Sequence, residues 1–132
     1  MAQFTTHFTV TQARATLPGL RRRLLRIQDL LAELRAQSDH ADTPPPIVVR
    51  GNGKGPIVTQ ATGATREEAQ TLIEGIAAQG IQIKDLARGL VDFPHYLHGD
   101  PAQEVFLCWH LGEDTIGYWH GIHDGFGGRR AL

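Results

Sequence analysis

The feature that most constrains this chain is a long run of apolar residues at alternating spacings of four and three. That spacing places them on one stripe of a helix, as in the a/d seam of a coiled coil. Thr9 and Gln12 precede the run with the pattern of a capping box, so we predict one long helix over residues 8–37. The seam consists of Ala13, Leu17, Leu20, Leu24, Ile27, Leu31 and Leu34.

A second helix is predicted over residues 65–80. It begins with another capping-box pattern at Thr65 and Glu68, carries apolar residues on one face, and ends at Gly80. The two helices are expected to form an antiparallel hairpin. Because the first is longer than its partner, part of its seam would stay uncovered, and we predict a homodimer through the helices.

The stretch between the helices, residues 38–64, is rich in proline and glycine. We predict a linker, or a small ribbon in which the β-branched residues 47–49 and 57–59 flank the sequence GNGKG. GNGKG lacks the spacing of a phosphate-binding P-loop, because Lys54 is followed by Gly55 and Pro56 rather than by serine or threonine.

From Ile81 onwards the apolar period changes to two. We predict three short strands at residues 90–97, 104–111 and 116–122, followed by a glycine-rich tail, so that residues 81–132 form an antiparallel sheet. The predicted fold class is α+β, a long helical hairpin packed with a small three-stranded antiparallel meander. With 132 residues, we expect a single domain over residues 1–132.

Composition excludes several classes of protein. One cysteine rules out an internal disulfide, and no apolar run reaches the roughly 18 residues of a membrane span. The start of the chain lacks a secretory pattern, which favours a cytoplasmic location. A net charge of -1 argues against nucleic acid as a partner. Clustered arginines on the first helix could nevertheless bind an anion: Arg21, Arg22 and Arg26.

Histidines and carboxylates concentrate in the last third of the chain, and these side chains ligate divalent metals. If four-residue turns join the strands, Leu97 faces Glu104 and Leu111 faces Ile116. That register puts Asp92 and His120 on the face of Trp109 and leaves Cys108 on the other as a core filler. Two candidate ligand sets follow, His120 with Asp92 and Glu113, or His95 with His98 and His110.

Several motifs in this chain resemble an uncharacterised bacterial family, domain of unknown function 2203. They are FTVTQARATLPGLRRRL from Phe8, Lys84-Asp85 with GLVDFP from Gly89, VFLCWHLGE from Val105, WH at Trp119 and GFGGR from Gly125. The resemblance extends from Phe8 to Arg129 except for the linker. It implies kinship without an activity.

The resemblance also implies a shared set of polar and aromatic residues, either a binding pocket or a structural network. We expect Arg129 to pair with a carboxylate, Glu113 or Asp92. Our leading interpretation is a non-enzymatic module for self-association or partner binding through the first helix. The alternatives are a metal-binding protein or metal-dependent hydrolase, with a divalent metal as cofactor, and an anion binder. The shared set is Asp92, Trp109, Glu113, His120 and Arg129.

Overall fold

The computed structural model describes residues 3–39 and 57–132, with side chains for residues 3–36 and 63–132. The chain separates into two compact units. One comprises the chain up to Leu25 together with Glu74–Leu132, and the other is Arg26–Ile73. The elements confirm an α+β fold: helices α1 (Val10–Asp39) and α2 (Ile57–Ala78), and strands β1 (Gln82–Asp85), β2 (Leu90–Tyr96), β3 (Glu104–Trp109), β4 (Tyr118–Gly121) and β5 (Arg130–Ala131).

The predicted capping box at the start of α1 is confirmed. The Gln12 backbone N–H donates to Thr9 Oγ1, and the Thr9 N–H donates to Gln12 Oε1, each at 3.0 Å. These reciprocal bonds satisfy two backbone donors at the point where the helix begins. Pro18 lies inside α1 without ending it.

The predicted seam is buried within the chain itself as far as Ile27, but the next buried position is Leu30 rather than Leu31. A straight helix has 3.6 residues per turn, so its buried stripe drifts away from a strict heptad. Leu31 and Leu34 are half-buried. Self-association through α1 remains a prediction.

In the Arg26–Ile73 unit, the two helix segments run antiparallel. Arg26 forms a bidentate ion pair with Glu68 at 2.8 and 2.9 Å, and further along α1 Glu33 accepts a hydrogen bond from Thr65 Oγ1 at 3.4 Å. The residue later in α1 therefore contacts the residue earlier in α2, as antiparallel helices require.

The predicted start of the second helix at residue 65 was wrong, because α2 begins at Ile57. Thr65 thus lies inside the helix and does not cap it. The same finding overturns the ribbon, since residues 57–59 are helical, although their β-branched side chains favour a strand. The other half of that ribbon, residues 47–49, lies outside the described residues.

The sheet is an antiparallel meander of five strands in the order β1 to β5, not three. The three predicted strands correspond to β2, β3 and β4, whereas the short outer strands β1 and β5 were missed. No helix in the described part of the chain is long and apolar enough to cross a membrane.

The predicted register was wrong by one residue on both sides of β3. Asp92 lies opposite Cys108 rather than Trp109, and His120 lies opposite Phe106 rather than Leu107. The cause is in the connections. Residues 110–117 form an eight-residue loop in place of a four-residue turn, and β2 ends at Tyr96, before a 3-10 turn at Leu97–Gly99.

Aromatic side chains make contacts on both faces of the sheet. On one face, Phe8 packs edge-on against Phe93 at 5.2 Å, and the Arg21 guanidinium lies 5.5 Å from the Trp109 ring, so this face contacts the start of α1. On the other face, the Phe4 ring lies 5.2 Å from Phe106. This second face carries the polar cluster described next.

Candidate metal centre

Three side chains with metal-ligating atoms meet on the second face of the sheet: Asp92 from β2, Cys108 from β3 and His120 from β4. Asp92 is paired directly with Cys108 across the ladder, and His120 follows on the next strand beside Phe106. One ligand atom from each lies within 4.8 Å of the other two. We refer to these three residues as the DCH cluster.

The DCH cluster is buried. Asp92 and His120 are each 3% exposed, and Cys108 is 0% exposed. Buried polar groups need partners, and here they are partners of each other. His120 Nε2 lies 3.1 Å from Asp92 Oδ1, and the Cys108 sulfur lies within 4.8 Å of a ligand atom of each of them.

The backbone fixes the protonation of the His120 ring. Its Nδ1 lies 2.8 Å from the carbonyl oxygen of Gly121, and because a carbonyl only accepts, Nδ1 carries a proton and donates it. A metal-ligating histidine is held in the same way, with one nitrogen donating to a backbone carbonyl and the other facing the metal. Nε2 is therefore the atom oriented for ligation, and it points at Asp92.

Without a metal, Nε2 and Asp92 Oδ1 must share one proton, because two unprotonated acceptors at 3.1 Å would repel each other. Burial raises the pKa of Asp92 above its ordinary value, against the lowering effects of His120 and Cys108. Burial also raises the pKa of the Cys108 thiol to about 12, and the neighbouring Asp92 adds to that shift. At neutral pH the cluster thus holds the shared proton and the thiol proton.

A cavity of about 230 Å³ opens against the DCH cluster. All three side chains line it, together with Lys84 and Asp124. The Lys84 ammonium lies 4.9 Å from the Phe106 ring. Water molecules occupy roughly 30 Å³ each in the liquid, so the cavity has room for several beside the cluster.

A second network lies next to the cluster and contains the other shared residues. Arg129 donates to both carboxylate oxygens of Glu113, at 2.7 and 2.9 Å, and to the Cys108 carbonyl at 3.3 Å. The expectation that Arg129 pairs with Glu113 or Asp92 is confirmed for Glu113. The Trp109 indole N–H donates to the Glu113 carbonyl at 3.0 Å. This network fixes the tail of the chain on the sheet, and Glu113 is engaged with Arg129 rather than with the DCH cluster.

Aromatic rings complete this network. The Arg129 guanidinium lies 4.2 Å from the Tyr118 ring and 4.5 Å from the Phe126 ring. Arg129 Nε is buried and has no hydrogen-bond partner among the described residues. The glycine-rich tail therefore turns back at Phe126 onto the sheet.

The three histidines of the alternative ligand set contact different parts of the protein. His95 Nδ1 is 2.7 Å from the Phe8 carbonyl, and His110 Nδ1 is 2.6 Å from the Leu111 carbonyl. His98 belongs to the 3-10 turn Leu97–Gly99. Within residues 3–39 and 57–132, the group that could hold an ion is the DCH cluster.

The arginines proposed as an anion site have different roles. Arg21 donates to the carbonyls of Glu113 and Asp114, whereas Arg26 pairs with Glu68. Arg22 is exposed. Arg21 and Arg26 are thus both engaged with protein groups.

Sequence reasoning missed Cys108 as a candidate ligand. Side chains alternate between the two faces of a strand, so the register decides which of them share a face. Asp92, Cys108 and His120 share a face in the observed register, whereas the predicted register placed Cys108 on the opposite face.

A family model described as an uncharacterized conserved protein, DUF2203, matches residues 6–132. No curated protein and no solved structure matches the chain significantly.

Proposed function

The chain belongs to the DUF2203 family of uncharacterised conserved proteins, and we propose that it is a metal-binding protein whose DCH cluster holds one divalent transition metal. A single observation carries the proposal. Three buried side chains of different ligand type converge from three neighbouring strands, with ligand atoms within 4.8 Å of one another. A solely structural hydrogen-bonded pair would not need the third group.

The ligand chemistry favours Zn²⁺. A thiolate, an imidazole and a carboxylate are all zinc ligands, and hard cations such as Mg²⁺ and Ca²⁺ do not select sulfur. Rigid strands position all three ligands, and the Gly121 carbonyl orients the imidazole. These features support a preorganised site.

Three protein ligands leave one position of a tetrahedral zinc site open, which is the arrangement of catalytic rather than structural zinc. The adjoining cavity would admit water or a small substrate to that position. A zinc-bound water loses its proton near neutral pH and becomes a nucleophile. We therefore propose metal-assisted hydrolysis as the activity to assay.

Cobalt substitution tests the site directly. Co²⁺ replaces Zn²⁺ in such sites, and a thiolate ligand gives an intense charge-transfer absorption in the near ultraviolet. We expect one equivalent of Co²⁺ to produce this absorption in the wild-type protein, and Zn²⁺ to abolish it. Cys108→Ser should lose the charge-transfer band.

His110→Ala is the matched control, because His110 lies two residues from Cys108 and outside the cluster. It should retain the absorption. A wild-type protein without a charge-transfer band at saturating Co²⁺, or a Cys108→Ser variant that keeps it, would rule out the proposed site.

A further inference from the structure

A second cavity lies on the other face of the sheet. It has a volume of about 700 Å³, which is within the range of roughly 300–1,000 Å³ for small-molecule sites. Its walls come from the segment leading into α1, the end of β2, Trp119 of β4, and Ala131 with Leu132. Phe8, Leu97 and Trp119 give it an apolar lining. The metal-site proposal does not involve this cavity.

The polar groups of this cavity share one electrostatic character. Three imidazoles line it, those of His7, His95 and His98, and no lining residue is acidic. The Arg130 guanidinium stands beside the wall, 5.2 Å from the Trp119 ring. An apolar cavity lined by imidazoles, with a guanidinium beside it, is complementary to an amphipathic anion.

Two of the imidazoles differ in how they are held. His7 Nε2 is engaged with Glu104 at 2.7 Å, and two backbone N–H groups also donate to that carboxylate. His95 Nδ1 donates to the Phe8 carbonyl, so its Nε2 is an acceptor, and a carboxylate bound there would share with it one proton taken up on binding. Glu104 is thus already paired within the protein, whereas Nε2 of His95 can still contact a ligand.

His98 is held in a strained conformation. It is the non-glycine residue with a left-handed backbone among the described residues, at φ 58°. A β-carbon disfavours that conformation, and such strain concentrates at functional sites. Its side chain has no hydrogen-bond partner in the described parts of the chain, which leaves the imidazole available to a ligand.

We propose that this cavity binds an amphipathic organic carboxylate, with its apolar body between Phe8, Leu97 and Trp119 and its carboxylate at His95 and His98. The start of α1 borders the same cavity, and its first turn contains no acidic residue. The helix dipole therefore adds to the attraction of an anion.

Calorimetric titration with hexanoate, octanoate, 1-octanol and 1-naphthoate tests the proposal. Octanoate should bind at least tenfold more tightly than 1-octanol. If the body is aliphatic, octanoate should also bind roughly fifteenfold more tightly than hexanoate, about fourfold for each methylene. Tighter binding of 1-naphthoate than of octanoate would assign an aromatic body to the same carboxylate. Equal affinity for the acid and the alcohol, or no binding of any carboxylate, would overturn the proposal.

Variants locate the binding. Leu132→Trp should fill the cavity from an exposed position and abolish octanoate binding, whereas Ala102→Trp, exposed and outside the cavity, should leave it unchanged. His98→Gly relieves the backbone strain, so we expect an equal or higher Tm together with at least fivefold weaker octanoate binding. Wild-type affinity in both Leu132→Trp and His98→Gly would place the binding elsewhere and refute the site.

Discussion

Zinc affinity should rise steeply with pH, because the metal-free DCH cluster holds two protons that a bound ion must displace. One is shared between His120 Nε2 and Asp92 Oδ1, which lie 3.1 Å apart. The other is on Cys108, whose thiol pKa burial raises to about 12. The Nδ1 proton stays in place, because it is donated to Gly121 whether or not a metal is bound.

Each proton released on binding makes the dissociation constant fall tenfold per pH unit. With two protons, zinc affinity should increase about a hundredfold per pH unit as long as the metal-free cluster holds both of them. Once the pair loses that proton, the slope should fall to about tenfold per unit. Competition with a chromophoric chelator of known proton affinity measures the slope.

Asp92→Asn supplies the control within the same cluster. The amide can donate to Nε2 of a neutral imidazole, so only the thiol proton is then displaced. Its weaker zinc binding should change about tenfold per pH unit throughout. A wild-type affinity that does not vary with pH, or a slope that is the same in both proteins, would refute this assignment of protons.

Three further predictions concern stability and reactivity of the metal-free protein. Because burial raises the pKa of Asp92, the protonated carboxyl stabilises the fold at low pH, and this contribution is lost as pH rises through the folded-state pKa. Asp92→Asn should therefore reduce the difference between urea midpoints at about pH 4 and about pH 8, and an unchanged difference would contradict this origin. Cys108 is 0% exposed and should resist a disulfide reagent at about pH 8 until urea unfolds the protein; rapid reaction of the native protein would be the opposite outcome. Glu113→Ala removes the carboxylate that pairs with Arg129, whose side chain is only 12% exposed. The change should lower the free energy of unfolding by about 2 kcal/mol, and a loss near zero in urea denaturation would contradict this.

The central strands could be predicted because their apolar residues alternate, but the outer strands could not. β1 has four residues and β5 has two, too few for a period to be evident. The start of α2 was hidden for a different reason. Ile57, Val58 and Thr59 favour strands locally, so their helical conformation depends on more than their own propensity.

The candidate site was predicted in part, and the error lay in the register of β3. Both predicted turns displaced β3 by one residue in the same direction, so the relation of β2 to β4 survived. Asp92 and His120 were therefore placed on a common face correctly, while Cys108 and Trp109 exchanged faces. Loop contacts set the true register, including the bond from the His110 N–H to Glu113 Oε1. Such contacts between side chain and backbone have no periodic signature in a sequence.

The most direct test of the proposed metal centre is an anomalous difference map at the zinc absorption edge, from a crystal of the protein grown with one equivalent of zinc. We predict a single peak bonded to Asp92, Cys108 and His120, at about 2.0–2.3 Å from their ligand atoms. A zinc peak at other residues, with the His120–Asp92 hydrogen bond intact, would contradict the account.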